Sequence, residues 1–247
     1  PFATNVTEIS LDKGDKLKLF GIWPQYGASE ESESTNINCS GYCYIYGNIM
    51  SLFDVNTFPV AKVMNYDYTF AHLFKGNTHI KNHPSKALVL PATTLTEYCY
   101  SEMFRSCTGL TEAPDLPATT LAAGCYKGMF IYCTTLEAAP ALPAIKLVDK
   151  CYERMFQMCY KLNNVYCMAG QLGETYALDW LAATSSSGTF TKNLFATVEK
   201  LTKSSSGVPF KWTLSSDAPG SVRYDFDCNG RIDAADITKL VDYIMHH

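Results

Sequence analysis

The sequence predicts an α/β solenoid with a β module before it and a loop and helix after it. Three observations lead there. Between Leu90 and Cys167 one 26-residue unit is written three times without a gap, as Leu90–Asp115, Leu116–Ala141 and Leu142–Cys167. The string Cys-Tyr-x-x-Met-Phe-x-x-Cys keeps its place in every copy. The two ends follow other patterns: strand-like alternation at the start, and an acidic loop leading into an amphipathic segment at the finish. A fixed period of this length marks units that cannot bury their apolar face alone and so stack on their neighbours. For such an architecture binding, rather than catalysis, is the expected function.

The predicted divisions are 1–46, an N-terminal β module or cap; 47–167, the repeats, clearest over 90–167; 168–221, a C-terminal cap and linker; and 222–247, the loop and helix. The chain has 247 residues, enough for a sizeable core, and an ordinary apolar fraction of 47%. A net charge of −4 without a basic stripe argues against nucleic acid. No apolar run approaches the roughly 20 residues needed to cross a bilayer. Pro1 stands where Met would begin a nascent chain, as expected of a processed or truncated product; a removed secretory signal would explain this, and the sequence does not decide it.

Within a copy, the recurring apolar residues fit a helical face. At about 100° per residue from Cys99, Met103 falls near 40°, Cys107 near 80°, Tyr100 near 100° and Phe104 near 140°. That single arc leaves Ser101, Glu102 and Arg105 pointing to solvent. The exposed slots drift between copies, Ser101-Glu102 becoming Lys127-Gly128 and then Glu153-Arg154. After each helix, Leu110, Leu136 or Leu162 opens a short extended rung, and Pro114 and Pro140 end it because proline gives up a ladder donor. Thr93-Thr94 and Thr119-Thr120 suit the turn into the helix.

Six of ten cysteines belong to the repeats, as Cys99/Cys107, Cys125/Cys133 and Cys151/Cys159. Helical geometry separates each pair by roughly 12 Å, beyond the ~7 Å that a disulfide spans. Neighbouring helices at ~8–10 Å are also too far apart for most bonds between copies. These thiols read as small core residues, against a metal-site alternative that lacks C-x-x-C spacing. Cys39, Cys43, Cys167 and Cys228 lie outside the register. A Cys39–Cys43 bridge fits the spacing, and the sequence does not decide it.

Outside the clear copies, Phe70-Ala71-His72-Leu73-Phe74 echoes the repeat with a longer loop, Asn77–Lys86. Ile45–Leu52 reads as a strand running into a capping helix, and Thr7–Ile22 alternates as strands about the turn Lys13-Gly14-Asp15. Ser29–Asn38 reads as an acidic loop. Glu174–Ala182 looks helical, and Thr189-Phe190-Thr191 and Trp212-Thr213-Leu214 look like strands that pair with the last rung. Ser215–Ser221 is a linker by composition.

Met103–Leu110 with Met129–Leu136, and Leu90–Leu95 with Leu116–Leu121, resemble the BspA-like subclass of leucine-rich repeats in surface proteins of gut Bacteroides and relatives. Flanking Gly47–Leu52, Gly188-Thr189-Phe190 and Gly207-Val208-Pro209 with Trp212 extend the likeness over Tyr44–Leu214. It implies a short leucine-rich-repeat solenoid, secreted or at the bacterial outer surface. Such a protein binds a protein or glycan ligand on a host or neighbouring cell, and no reaction is implied.

The tail resembles a type I dockerin. Asp225-x-Asp227-x-Asn229-Gly230-x-Ile232-Asp233-x-x-Asp236 sets oxygen donors around one turn, and Ca²⁺ takes six to eight oxygens at ~2.3–2.6 Å. Asp225, Asp227 and Asn229 fill the first ligand places. Arg231 offers its carbonyl, Asp233 acts directly or through water, and Asp236 closes the loop. Gly230 permits the bend. Ile237, Leu240, Val241, Ile244 and Met245 form the apolar face of the exit helix. Dockerins carry two such segments and this chain one, with Ala234 and Ala235 at places that often choose a cohesin. Docking to a cohesin-like partner and a purely structural calcium clip both remain open.

Other chemistry lacks its partners. His79 and His83 have the spacing of a metal pair but no acidic or thiol companion, and they read as a solvated loop together with His72. The serine-rich stretches lack a G-x-S-x-G elbow. Paired carboxylates sit in ordinary turns, without support for glycoside hydrolysis. The leading expectation is therefore a non-enzymatic binding protein, with Thr111, Glu112, Glu137 and Asn163 exposed on the concave rung side. The alternatives are a scaffold subunit that docks through its tail and, behind it, an accessory or catalytic module of a carbohydrate-active system.

Overall fold

The structure, a computed structural model, describes residues 8–21, 36–192, 204, 206–215 and 238. Each copy of the repeat makes one coil, and the backbone of its Cys-Tyr-x-x-Met-Phe-x-x-Cys stretch is a ribbon of turns rather than an α-helix. The N–H groups divide by parity. Cys99, Ser101, Met103, Arg105 and Cys107 donate to the carbonyl three residues back within their own coil. Tyr98, Tyr100, Glu102, Phe104 and Ser106 donate across to Ala123, Cys125, Lys127, Met129 and Ile131 of the next coil at 2.7–3.0 Å. The next coil repeats the pattern, from Gly124 to Asp149 O through Tyr132 to Gln157 O.

A left-handed residue every fourth place produces this division. Tyr98, Glu102 and Ser106 have φ of 52°, 50° and 62°; Gly124, Gly128 and Tyr132, then Lys150, Arg154 and Met158, stand in the same slots. Each reversal swings alternate N–H groups out of the coil toward its neighbour. Most of these residues carry a side chain, and each such residue costs about 1–2 kcal/mol in the left-handed region. The hydrogen bonds of every coil to the next compensate. The helical expectation selected the right core because a four-residue turn repeat and a 3.6-residue helix place nearly the same residues on one side. Cys99, Tyr100, Met103, Phe104 and Cys107 are all buried.

The ribbon corrects one expectation about the outward side: Ser101 and Glu102 are buried, not solvated. The left-handed turn at Glu102 tucks its carboxylate against the preceding coil. There Lys75 Nζ lies at 2.7 Å and His72 Nε2 at 3.6 Å, while Arg105 of its own coil grips both oxygens at 2.9 and 3.0 Å. Burial alone would raise the carboxyl pKa; the Lys75 ammonium and the Arg105 guanidinium outweigh it and hold the group below its usual value.

Inside the stack, equivalent rings lie on one another. Phe70, Tyr100, Tyr126, Tyr152 and Trp180 form one ladder with centroids 5.8–6.2 Å apart. Phe74, Phe104, Phe130 and Phe156 form a second at 5.4–5.6 Å. Offset ring pairs contribute roughly 0.5–1.5 kcal/mol beyond the area they bury. The later cysteine of each copy supplies a further link: Cys107, Cys133 and Cys159 donate their Sγ–H to the carbonyls of Phe74, Phe104 and Phe130, one coil back, at 3.0–3.1 Å. A thiol is small enough for the core and still a donor, which alanine is not. Burial pushes the Cys99, Cys107, Cys151, Cys159 and Cys167 thiols up to about 12, and moves Cys125 and Cys133 in the same direction.

The opposite side of the coils is built of short parallel rungs. Strand β1 (Cys43–Ile45) pairs with β3 (Ile80–Asn82), and β2 (Gly47–Asn48) with β4 (Leu88–Val89). A 3₁₀ turn, Ile49–Leu52, follows β2 and is capped by the Asn48 side chain. At the far end β5 (Asn164–Cys167), β6 (Thr189–Lys192) and β7 (Thr213–Ser215) form one parallel sheet, with the short helix α1 (Glu174–Ala177) between β5 and β6. Trp212 and Trp180 tie this end together, donating to Ser185 O and Gly207 O.

At the near end a disulfide joins Cys39 to Cys43, the first residue of the first rung. Residues 8–21 keep the turn that joins Asp15 N to Asp12 O, but the alternation over Thr7–Ile22 makes no strand among them. Among the described residues no neighbouring strand lies beside it to complete a ladder. Of residues 216–247 only Thr238 is described, and it is helical. No helix among the described residues is long and apolar enough to cross a membrane.

Candidate ligand-binding face

Two places on the rung side depart from simple stacking. The first lies between the rungs at 111–115 and 137–141. Toward the N-terminal side, Asn82 replaces a ladder with its side chain: Oδ1 accepts from Thr111 N, Glu112 N and Thr111 Oγ1 at 2.9, 3.1 and 3.2 Å, and Nδ2 donates to Glu112 O at 2.8 Å. Toward the C-terminal side, Ala138 bridges Asn164, and Asn163 N donates to Glu137 O at 3.0 Å. Among the described residues, no backbone hydrogen bond joins these two rungs to each other. Pro114 and Pro140 have no N–H to give, and the alanines at 113, 138, 139 and 141 are too small to fill the gap.

The result is a cleft of about 480 Å³ whose walls include Thr111, Glu112, Asp115 and Glu137. Glu112, Asp115 and Glu137 are exposed, and none forms an ion pair with a described residue. Three carboxylates over an alanine and proline floor make a negative, shallow receptor suited to amines or guanidinium groups. Of the residues expected at the binding face, Thr111, Glu112 and Glu137 come together here. Asn163 does not; it is exposed one rung further on, its carbonyl accepting from Thr189 N at 2.8 Å. Asp115 escaped the sequence reading because its slot becomes Ala141 and then Cys167, so no repeating signal marks it.

The second departure is an aromatic ladder on the first two rungs. Tyr42, Tyr44 and Tyr46 alternate along β1 and beyond it, and remain 75%, 56% and 38% exposed. Facing them across the Tyr44↔Lys81 register are His79, Lys81 and His83. His79 and His83 thus belong to this face rather than to an isolated solvated loop, and His72 is buried beside Glu102. A period-two pattern, Tyr-x-Tyr-x-Tyr and His-x-Lys-x-His, was the available signal. Its two halves lie 37 positions apart, and nothing local announces the pairing.

Among the described residues, no three His, Cys, Asp or Glu side chains are grouped to hold a metal ion. The calcium residues Asp225, Asp227, Asn229, Arg231, Asp233 and Asp236, and with them Cys228, lie outside the described residues. No protein-family model, curated protein or solved structure matches the chain.

Proposed function

We propose that the chain is a BspA-like leucine-rich-repeat solenoid, secreted or displayed on a bacterial outer surface, that binds a protein or glycan ligand and performs no chemistry on it. The observation that carries this reading is the acidic cleft between the third and fourth rungs, lined by Thr111, Glu112, Asp115 and Glu137. A cleft between the rungs of successive repeats is the form in which stacked-repeat proteins present a ligand surface. Its charge favours a basic segment of a protein partner. The gapless 26-residue copies and the flanking motifs support the family assignment. The tail adds one Ca²⁺ held by Asp225, Asp227, Asn229, the Arg231 carbonyl, Asp233 and Asp236, supported by an oxygen donor set that suits a hard cation.

The test is surface plasmon resonance of the full chain against immobilised extracellular-matrix proteins and glycans, with and without Ca²⁺. The reading expects a partner whose binding falls when Glu112, Asp115 and Glu137 are changed together to their amides. A partner held equally well by that variant would remove the cleft from the argument. A panel with no partner at all would refute adhesion. Calorimetry should find one Ca²⁺ per chain, lost in Asp225→Asn/Asp227→Asn.

A further inference from the structure

We infer that the tyrosine ladder on the first two rungs is a second binding site, independent of the cleft, that takes a linear polysaccharide carrying carboxylates: a chain of uronic acid residues. Alternation along an extended strand puts Tyr42, Tyr44 and Tyr46 on one side, and side chains two apart are about 6.6 Å from each other. The rings therefore cover roughly 13 Å, the length of a short run of sugar rings rather than of one sugar.

These rings are exposed but not loose. Lys81 Nζ sits 3.8 Å from the centre of the Tyr42 ring, and the His79 ring meets Tyr42 edge-on at 5.7 Å. His83 stands between Tyr44 and Tyr46, edge-on to both at 5.3 and 4.9 Å, and Lys86 Nζ lies 4.7 Å from the Tyr46 ring centre. His83 is itself fixed, because its Nδ1 accepts the Ser85 N–H at 3.1 Å. Side chains already held in place lose little rotamer freedom when a ligand arrives.

The chemistry of the face selects the occupant. Three tyrosines in a row make an outward apolar patch with hydroxyl tips, a combination that marks an interaction surface rather than a spare exterior. A pyranose ring offers the complement, an apolar C–H side with hydroxyls around its rim. The charged groups seated on these rings, Lys81 and Lys86, are both cationic in a chain of net charge −4. Carboxylates on the sugar answer that charge. Peptide recognition uses other surfaces: strand addition needs the backbone edge, and a docked helix needs an apolar groove. Among the described residues no strand pairs with the other edge of β1, but a peptide added along that edge would not depend on the tyrosine rings or the two lysines.

The experiment titrates the full chain with polygalacturonate, with neutral polygalactose and poly-glutamate as comparisons. Polygalacturonate should bind, and the other two at least roughly tenfold more weakly, a difference of about 1.4 kcal/mol. Tyr42→Ala/Tyr44→Ala should weaken binding about tenfold or more with an unchanged urea midpoint. Lys81→Gln/Lys86→Gln should flatten its salt dependence. The Glu112, Asp115 and Glu137 amide variant should bind polygalacturonate as the wild type does. Failure of the wild type to bind polygalacturonate, or full binding by the tyrosine variant, would overturn the inference. Equal binding of poly-glutamate would make this an acidic-peptide site instead. Loss in the cleft variant would move the sugar to the cleft, and a cleft without a partner would leave this site untouched.

Discussion

Phe130 occupies the middle of the phenylalanine ladder, fully buried, with Phe104 at 5.5 Å on one side and Phe156 at 5.4 Å on the other. Phe74 ends the same ladder, also buried, with Phe104 at 5.6 Å as its stacked partner. Replacing either by Leu removes a similar amount of buried apolar side chain, a cost common to both. What differs is the stacking: among the described residues Phe130 has a ring on each side and Phe74 on one side only. At roughly 0.5–1.5 kcal/mol per stacked pair, Phe130→Leu should cost about 0.5–1.5 kcal/mol more than Phe74→Leu. For a chain of this size each kcal/mol lowers Tm by roughly 2–4 °C. Urea unfolding followed by circular dichroism measures the difference, with equal m-values required before midpoints are compared. Equal losses, or a larger one for Phe74→Leu, would show that stacking adds nothing beyond burial and that the ladders are mere volume filling.

The left-handed slots make a second test: Gly124→Ala places a methyl group against the Tyr98 ring at φ +60°, and should cost at least about 1–2 kcal/mol by thermal melting, whereas Ser106→Gly, in an equivalent slot, should be close to neutral. Glu102, whose pKa is lowered in the folded chain, contributes stability that is fully present above its ordinary value of 4.5 and is lost as pH falls through the lower folded value. Urea midpoints taken at decreasing pH should therefore decline less steeply in Glu102→Gln than in the wild type, and parallel curves would refute the pairing with Lys75 and Arg105. The thiols supply the last test. Native chain treated with iodoacetamide at pH 8 should leave Cys99, Cys107, Cys125, Cys133, Cys151, Cys159 and Cys167 unmodified by peptide mass spectrometry, and denaturant should release them all. Rapid labelling of any one in the folded chain would contradict its burial.

Much of the core was legible in the sequence because the residues that recur are the residues that stack: Tyr100 over Tyr126, Phe104 over Phe130. The backbone conformation was not. A period of four and a period of 3.6 select the same side over nine residues, so the apolar pattern could not separate ribbon from helix. A second signal was present in the second copy, where Gly124 and Gly128 stand four apart in the slots held by Tyr98 and Glu102, as glycines do where φ is positive. The cleft was half legible. Rung position pointed to Thr111, Glu112 and Glu137, while Asp115 needed knowledge of where two prolines would break the ladder. The tyrosine ladder depends on pairing between distant strands, which no local window contains.

The parity of the N–H groups has a consequence for how such a chain can change in length. Along the turn ribbon every inner coil gives alternate amides to the coil that follows and offers its own carbonyls to the one before, so the stack has a direction. A coil cannot be inverted. A whole copy cut in or out at the Leu-Pro-Ala junctions, however, brings together the same two surfaces that met before. Gene duplication or slippage by one unit would then lengthen or shorten the molecule in steps of 26 residues, moving the tyrosine end and the acidic cleft apart or together without redesigning either.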